Sequence, residues 1–286
     1  MAISHYLCAK FYLMRNLLCA CCLVSFIFIA CSPNNVTQDS SLQKYFDAEK
    51  VDGCFGMFDN GQGNFTIYNL NRYRDSAYLP ASTFKIVNSL IGIQTGRVQD
   101  TNTIIPWDGV VRERKELNQD LTMMQAFRLS SVPWYQELAR RIGKDTMQKW
   151  LDTLGYAASK GKAVIKKIDS FWLDNSIKIT ADEELGLVKK LYFNQLPFYG
   201  STHEMVKRMM LQEENSNYKL SYKTGWGYTK NGHSIGWIVG WIEENKHVYF
   251  FVLQIDSPDP KYDIAPARLK ILDEILRQHG FKEGKK

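Results

Sequence analysis

A serine and a lysine three residues apart are the residues of this chain best suited to act together in catalysis. Ser82 and Lys85 stand in the sequence ASTFKIVNSLIGIQTG, directly after Pro80. The proline and the apolar run behind it predict a helix that begins near Ser82. Both side chains would then lie on one helical face, with about 5 to 6 Å between their Cβ atoms. The lysine amine could accept the serine proton, and the helix amino terminus would stabilise the negative charge formed during attack.

The Ser-x-x-Lys spacing alone is a weak signal. It recurs from Ser41 to Lys44 in a polar stretch, and from Ser216 to Lys219 where a predicted strand begins. Neither copy follows a helix-start signal with an apolar helix behind it. The alternative for Ser82 is a serine in the first turn of a helix beside a solvated lysine.

Two further polar groups strengthen the case for Ser82. Residues 223–225 read Lys-Thr-Gly at the end of a predicted strand, which would bring an ammonium, a hydroxyl and a closely approaching backbone to a crevice. Residues 130–132 read Ser-Ser-Val, just before a helix predicted from Pro133. The five histidines form no HExxH set, and no GxGxxG, GxxxxGKS or GxSxG run occurs. Metal, nucleotide and elbow-type hydrolase sites are therefore not indicated.

Strand patterns at both ends of the chain flank a helical middle. Apolar and aromatic runs predict strands over residues 54–59, 65–70, 218–225, 236–244 and 247–255. The sequence DNGQGN joins the first two, and a tight turn joins the last two. Most of the sequence between residues 84 and 193 has helical periodicity, as does the stretch after Pro266. This order predicts an α+β fold, an antiparallel sheet flanked by helices with an inserted helical region and a site in the crevice between them.

The three motifs together resemble those of the active-site serine β-lactamases and penicillin-binding proteins. Their order is Ser-x-x-Lys, Ser-x-Val and Lys-Thr-Gly, and Ser-x-Val in place of Ser-Asp-Asn is similar to class D, the oxacillinase type. Further runs agree with that class: LPASTFKI, VPWYQELARRIG, FWLDNSIKI and the arginine before ILDEIL. The resemblance covers roughly residues 45 to 280. It implies a sheet of five or six strands flanked by helices, with a second helical region.

The resemblance implies hydrolysis of penicillin-type antibiotics, and hence resistance to them. Ser82 would attack the lactam carbonyl to give an acyl-enzyme that water hydrolyses. Lys85 would be carboxylated on its amine by CO2 or bicarbonate and act as the general base, supported by Val132 and Trp172. No other cofactor and no metal is expected. Ser130 would pass a proton to the departing lactam nitrogen.

Residues in the last third of the chain would bind most of the substrate. By the same resemblance, Lys223 and Thr224 would hold the substrate carboxylate, and Arg268 would pair with it as a bidentate fork. The backbone N–H groups of Ser82 and Trp226 would form the oxyanion hole. Residues 156–158 depart from the family, because they read Tyr-Ala-Ala where class D members usually carry Tyr-Gly-Asn. No role is assigned to Tyr156.

The amino-terminal 31 residues predict export. Residues 17–30 are an apolar run too short to span a membrane comfortably but of the length of a signal-peptide core. The small residue before Cys31 resembles a bacterial lipoprotein signal, although Phe28 is bulkier than usual there and plain secretion stays open. We expect a signal peptide over 1–30, a polar tether over 31–44 and the catalytic domain over 45–286. The mature protein would face the periplasm and contact the membrane only through a lipid on Cys31.

Charge and cysteine content limit the other functions. Five of the six cysteines lie in the first 31 residues, so if Cys31 is acylated Cys54 has no partner for a disulfide within the mature chain. Cys54 is expected to be a small buried hydrophobe. Removal of residues 1–30 would lower the formal charge from +6 to +4, too small an excess to indicate nucleic acid. Two alternatives share the three motifs. A β-lactam sensor domain would need a transmembrane segment and a signalling domain, and a penicillin-binding DD-peptidase usually has a longer chain.

Overall fold

A seven-stranded sheet is the largest element of the computed structural model, which describes residues 35–284. In spatial order its strands are β1 (Val36–Gln38), β3 (Asn64–Tyr68), β2 (Asp52–Asp59), β11 (His247–Ser257), β10 (Ser234–Glu244), β9 (Tyr218–Tyr228) and β8 (Leu211–Glu214). All neighbours are antiparallel except β1 and β3. The pairing of β2 with β11 closes the sheet between sequence-distant segments, as the strand order predicts. The count exceeds six because short strands, β1 and β8, form the two edges.

Side chains that point alternately to the two faces of the central strands form two separate apolar layers. In β11, Phe251 and Leu253 face one cluster while Phe250 and Val252 face the other. Consecutive side chains of a strand point to opposite faces, so a strand buried on both sides reads as a continuous apolar run. This explains why β10 and β11 could be predicted from their composition. The central sheet therefore has an apolar layer on each face.

Nine helices of the described chain cover these faces and complete the α+β fold. They are α1 (Gln43–Ala48), α2 (Leu70–Asp75), α3 (Lys85–Gln94), α4 (Met123–Arg128), α5 (Val132–Ile142), α6 (Lys144–Leu154), α7 (Ala181–Tyr192), α8 (Gly200–Met210) and α9 (Ile264–Gln278). Helix α9 packs on one face through residues such as Ile271 and Ile275, and the inserted helical region packs on the other. Two small ribbons pair β4 (Ala77–Tyr78) with β7 (Ile179–Thr180), and β5 (Ile104–Ile105) with β6 (Leu121–Thr122).

The structure corrects the prediction of an unpacked tether over 31–44. Val36–Gln38 pairs with β3, and a 3-10 turn, Ser40–Leu42, leads into α1. Leu42 is fully buried beside Phe46, so the few apolar residues of this polar stretch are enough to dock it on the sheet. The described part of the segment, from residue 36, therefore belongs to the folded unit. The predicted signal peptide and Cys31 lie outside the described residues.

The second Ser-x-x-Lys also occurs at a helix start, contrary to expectation. Ser41 lies in the 3-10 turn and Lys44 in α1, and both are exposed. The Ser41 hydroxyl donates to Asp39 (2.6 Å) and accepts from Gln278 (2.7 Å). What distinguishes Ser82 is therefore burial with its lysine, described below, and not the spacing.

Cys54 lies in the core, as predicted. It is a free thiol, 1% exposed, and burial raises its pKa to about 12. Within residues 35–284, no helix is both long enough and apolar enough to cross a membrane.

Candidate active site

Ser82 and Lys85 meet at the start of α3. Ser82 lies in a 3-10 turn, Ala81–Phe84, which continues directly into the helix, so the serine precedes the α-helix and is not in its first turn. The Lys85 Nζ donates to the Ser82 Oγ at 2.6 Å. Lys85 is fully buried and Ser82 is 8% exposed. The structure thus brings together the two residues that the spacing predicts.

The turn is held by backbone contacts on both sides. Ala81 has a left-handed φ of 50°, and its N–H donates to the Trp172 carbonyl at 3.0 Å. The Trp237 Nε1 donates to the carbonyl of Leu79 at 3.0 Å. Left-handed conformations of non-glycine residues cost free energy and persist where their surroundings impose them. The bonds from residues 172 and 237 supply that constraint next to Ser82.

Strand β9 approaches the serine turn closely, and Gly225 permits it. A Cβ added at Gly225 would lie 3.1 Å from the Pro80 carbonyl oxygen and 3.3 Å from the Thr83 Cγ2. These separations are tighter than ordinary van der Waals contact. The glycine of Lys-Thr-Gly is therefore needed for packing, and it sets how near Lys223 and Thr224 come to Ser82.

Lys223 and Ser130 form the second polar pair of the site. The Lys223 Nζ donates to the Ser130 Oγ at 3.0 Å and to the Thr224 carbonyl at 2.9 Å. It also lies 5.5 Å from the ring centroid of Phe127. Ser130 follows α4 in a left-handed conformation, φ 55°, which turns the chain into α5. The two motifs that the sequence separates by ninety-three residues are therefore in direct contact.

Burial lowers the pKa of both lysines. Desolvation, with a smaller contribution from the charge of Arg114, lowers the pKa of Lys85 to about 7. Desolvation, followed by the charges of Lys85 and Arg268, holds the pKa of Lys223 well below its usual range. A large fraction of Lys85 is therefore an uncharged amine near neutral pH, which an unperturbed lysine is not.

Arg268 reaches the same region from α9. Its Nη1 donates to the Gly225 carbonyl, while its Nε has no partner among residues 35–284. Burial lowers its pKa to about 10. Arg268 also lines the cleft beside Ser82, where its positive charge can attract an anion.

Ser82, Ser130 and Arg268 line one cleft with a volume of about 600 Å³, while the buried Lys85 and Lys223 lie behind its surface. Its walls include Ser82, Ser130, Val132, Thr224, Trp226 and Arg268, all predicted from the sequence. Val132 is partly buried, and Trp226 is half-exposed with its Nε1 donating to the Ser234 Oγ at 3.0 Å. The lining also includes residues 112–114, Arg-Glu-Arg, which no sequence motif singled out. Within the described chain, no group of three or more His, Cys, Asp or Glu side chains could hold a metal ion.

Trp172 lies beneath the serine turn. Its ring stacks on Phe84, the residue before Lys85, with 5.4 Å between ring centroids. Trp172 is fully buried, and its Nε1 has no hydrogen-bond partner within residues 35–284. A buried unpaired N–H is costly, so this donor is available to an acceptor beside the turn.

The segment that departs from the family packs behind the same turn. Tyr156 is buried against Phe84 with 5.5 Å between ring centroids. Ala157 has φ 55° and ψ 36°, a left-handed conformation in which an alanine is strained. The alanine therefore occupies a backbone position suited to glycine.

Glu184 of α7 is a site-adjacent residue that the sequence analysis missed. It is fully buried and contacts the hydroxyl of Thr83, the residue after Ser82. The helical spacing of Glu184 with Val188 and Leu191 places it on the apolar face of α7. An acidic residue in an apolar stripe was the signal that could have identified it.

Comparison with known proteins places this arrangement in a family. Residues 36–277 match the model of the penicillin binding protein transpeptidase domain. Beta-lactamase OXA-48 of Klebsiella pneumoniae is 38% identical over 242 residues, which are 84% of this chain and 88% of that protein. A class D β-lactamase structure from Nostoc aligns with a TM-score of 0.78 and 36% identity, over 84% of this chain and 98% of that one. The C-terminal domain of the penicillin receptor BlaR of Bacillus licheniformis aligns with a TM-score of 0.79 and 29% identity, over 87% and 98%.

Proposed function

This chain belongs to the class D β-lactamases, serine hydrolases within the penicillin-binding protein transpeptidase family, and from that premise we propose that Ser82 is the nucleophile that opens the β-lactam amide bond. The observation that carries the proposal is the 2.6 Å hydrogen bond from the buried Lys85 amine to the Ser82 hydroxyl. The lowered pKa of Lys85 supports it, because a base must lack a proton to accept one.

In the acylation step, Lys85 accepts the Ser82 proton as the Oγ bonds to the lactam carbonyl carbon. Backbone N–H groups of Ser82 and Trp226 would stabilise the oxyanion. The carbon–nitrogen bond of the lactam then breaks, and the Ser130 hydroxyl gives its proton to the departing nitrogen. Lys223, 3.0 Å from the Ser130 Oγ, replaces that proton. The proton held at Lys85 then passes to Lys223, which resets both groups. The base at Lys85 next takes a proton from water as the water oxygen attacks the acyl carbon, and it returns that proton to the Ser82 Oγ as the acyl bond breaks.

A carbamate on Lys85 fits the residues around it. The uncharged amine needed to react with CO2 is available near pH 7. The unpaired Nε1 of Trp172 is a donor suited to an anionic oxygen. Val132, which lines the cleft beside Ser82 and Ser130, would pack against the carbamate as the family resemblance implies. Once formed, the carbamate would supply an anionic base for both chemical steps. Trp172 would hold it by a charge-assisted hydrogen bond.

The substrate carboxylate would bind where cations converge. Arg268 donates to the Gly225 carbonyl, and Lys223 and Thr224 directly precede that glycine on the same strand, β9. A penicillin-type molecule with its carboxylate against Arg268 would lie along β9, with its lactam carbonyl toward Ser82. The substrate is thus a small anionic β-lactam.

Turnover distinguishes hydrolysis from β-lactam sensing. Purified residues 32–286, mixed with a chromogenic cephalosporin and bicarbonate, should hydrolyse many equivalents per protein, and Ser82→Ala should hydrolyse none. A single stoichiometric burst without turnover would overturn hydrolysis in favour of a receptor like BlaR. Release of D-alanine from a cell-wall peptide at a comparable rate would indicate a DD-peptidase. The β-lactamase relatives favour the first outcome.

We also propose that residues 1–30 direct export and that Cys31 carries a lipid, so that the catalytic domain faces the periplasm. The support is the apolar run of residues 17–30 followed directly by Cys31. Labelled palmitate should appear on the chain and be lost in Cys31→Ala. An exported chain without label would indicate plain secretion.

A further inference from the structure

A buried carboxyl group lies directly behind the nucleophile's turn. Thr83 is the neighbour of Ser82, and its Oγ1 contacts both the Pro80 carbonyl oxygen, at 2.8 Å, and the Glu184 Oε1 in a very short contact. Thr83 and Glu184 are both fully buried. The Glu184 Oε2 has no partner among residues 35–284. This acid therefore has a single hydrogen-bond partner, and that partner belongs to the serine turn.

Counting the hydrogens available between Thr83, Pro80 and Glu184 shows whether the Glu184 carboxyl is protonated. A hydroxyl group carries one hydrogen, so Thr83 can donate to only one of its two oxygen neighbours. Two oxygens at hydrogen-bond distance with no proton between them repel each other. The Thr83 hydroxyl donates to the Pro80 carbonyl, and the contact with Glu184 needs a second proton. A protonated Glu184 carboxyl supplies it.

The surroundings of Glu184 also oppose its ionisation. Burial raises the pKa of Glu184 to about 8, and the charge of Glu183 on the same helix acts in the same direction. A hydrogen bond from the Thr83 hydroxyl to the carboxylate would act in the opposite direction, but that hydroxyl is the donor to the Pro80 carbonyl. The buried Tyr156 hydroxyl, which Glu184 influences, has no partner within the described chain. Tyr73 of α2 donates to Asp182, and His203 of α8 contacts the Tyr199 carbonyl. Within residues 35–284, no cation is among the groups that shift the pKa of Glu184.

We propose that Glu184 is a positioning residue that carries a proton in the active enzyme and donates it to the Thr83 Oγ1, and so holds the turn that presents Ser82. Loss of this proton would leave a buried carboxylate facing the Thr83 oxygen and would displace the turn. Glu184 does not touch the substrate. It acts through Thr83, and its protonation sets an alkaline limit to catalysis. The proposal extends the assignment of Ser82 as the nucleophile and depends on it for its kinetic readout.

The test is the pH dependence of Glu184→Gln relative to the unchanged enzyme. A glutamine amide can donate to the Thr83 Oγ1 at every pH. With benzylpenicillin and saturating bicarbonate, we expect the ratio of kcat/KM, variant over unchanged enzyme, to be near one at pH 6 to 7. It should rise to about tenfold at pH 9, where roughly a tenth of Glu184 keeps its proton. Taking the ratio cancels the titration of Lys85 and Lys223, and a ratio that stays constant with pH overturns the proposal.

Glu183→Gln provides a matched control. Glutamine retains the capping box with Thr180, but it removes the like charge that opposes Glu184 ionisation. The alkaline fall in kcat/KM should therefore begin at lower pH in this variant, and an unmoved fall would contradict the assignment to Glu184.

Infrared spectroscopy of glutamate-labelled enzyme makes the test independent of turnover. A protonated carboxyl band should be present at pH 7 and lost by pH 10 in the unchanged protein. Absence of that band at pH 7 would overturn the proposal even if Glu184→Gln fails to fold. Inactivity of the unchanged enzyme with the band present would instead count against the role of Ser82.

Discussion

Trp172→Phe should weaken CO2 binding by Lys85 while the protein stays folded. Phenylalanine keeps a ring to stack on Phe84 but removes the Nε1 donor, which has no partner in the described structure. A hydrogen bond to a charged group contributes about 1.5 to 3 kcal/mol. Losing such a bond to the carbamate corresponds to about 10- to 100-fold weaker CO2 affinity. The half-saturating bicarbonate concentration should rise by that factor, and high bicarbonate should restore turnover.

The assay is chromogenic cephalosporin hydrolysis at stepped bicarbonate concentrations, with the carbamate followed by NMR of ¹³C-bicarbonate. Trp241→Phe is a matched control, because Trp241 is also buried in the described core with an unpaired Nε1, but on β10 in the sheet. That variant should keep the original bicarbonate dependence. An unchanged bicarbonate requirement in Trp172→Phe would refute the role of the indole, as would an equal loss in both variants.

Three further predictions follow from the geometry and charges. Gly225→Ala should lower kcat/KM at least tenfold, because the added Cβ would lie 3.1 Å from the Pro80 carbonyl oxygen and push β9 away from the serine turn. An unchanged kcat/KM in steady-state kinetics would show that the close approach of β9 to this turn is not needed for activity. Ala157→Gly should stabilise the fold by about 1 kcal/mol by relieving a left-handed φ, as measured by denaturant unfolding, and a loss of stability would refute the strain. At a fixed CO2 concentration well below saturation, kcat should rise with pH through an inflection near 7 as Lys85 loses its proton, and Arg114→Gln should raise that inflection by removing a positive charge. A shift to lower pH would show that the electrostatic assignment is wrong.

The sequence predicted those elements whose residues share one kind of environment from end to end, such as strands buried on both faces. Strands β10 and β11 are buried on both faces and read as unbroken apolar runs, and α5 begins at the expected proline signal. Residues 36–44 were mistaken for a tether, because one buried side chain, Leu42, among polar neighbours makes too weak a pattern. The prediction of a helical first turn at Ser82 was wrong in detail, since the left-handed Ala81 forces a 3-10 turn. Such a conformation depends on contacts with residues far away in the chain.

For the site, motif order located the main residues, but their states depend on tertiary burial. Nothing in Ser-x-x-Lys indicates that Lys85 is fully enclosed, and its pKa of about 7 follows from that enclosure. Glu184 escaped notice because its partner, Thr83, is 101 residues away. The unpaired Nε1 of Trp172 likewise becomes visible only when its neighbours are known. Sequence patterns identify such groups, whereas tertiary packing determines their protonation states and which of their hydrogen-bond donors lack a partner.

The described site brings three cations together under burial, and none of them forms a salt bridge there. Desolvation lowers the pKa of Lys85 to about 7, that of Arg268 to about 10, and that of Lys223 well below its usual value. A buried cation without a counter-ion is unfavourable, so anions that enter this site are favoured by the relief of that cost. The proposed carbamate on Lys85 would replace a positive neighbour of Lys223 with a negative one and would therefore raise the pKa of Lys223. Lys223 would then keep the proton that it must deliver through Ser130. Formation of the carbamate base at Lys85 would therefore also favour the protonated form of Lys223 that acts as the acid.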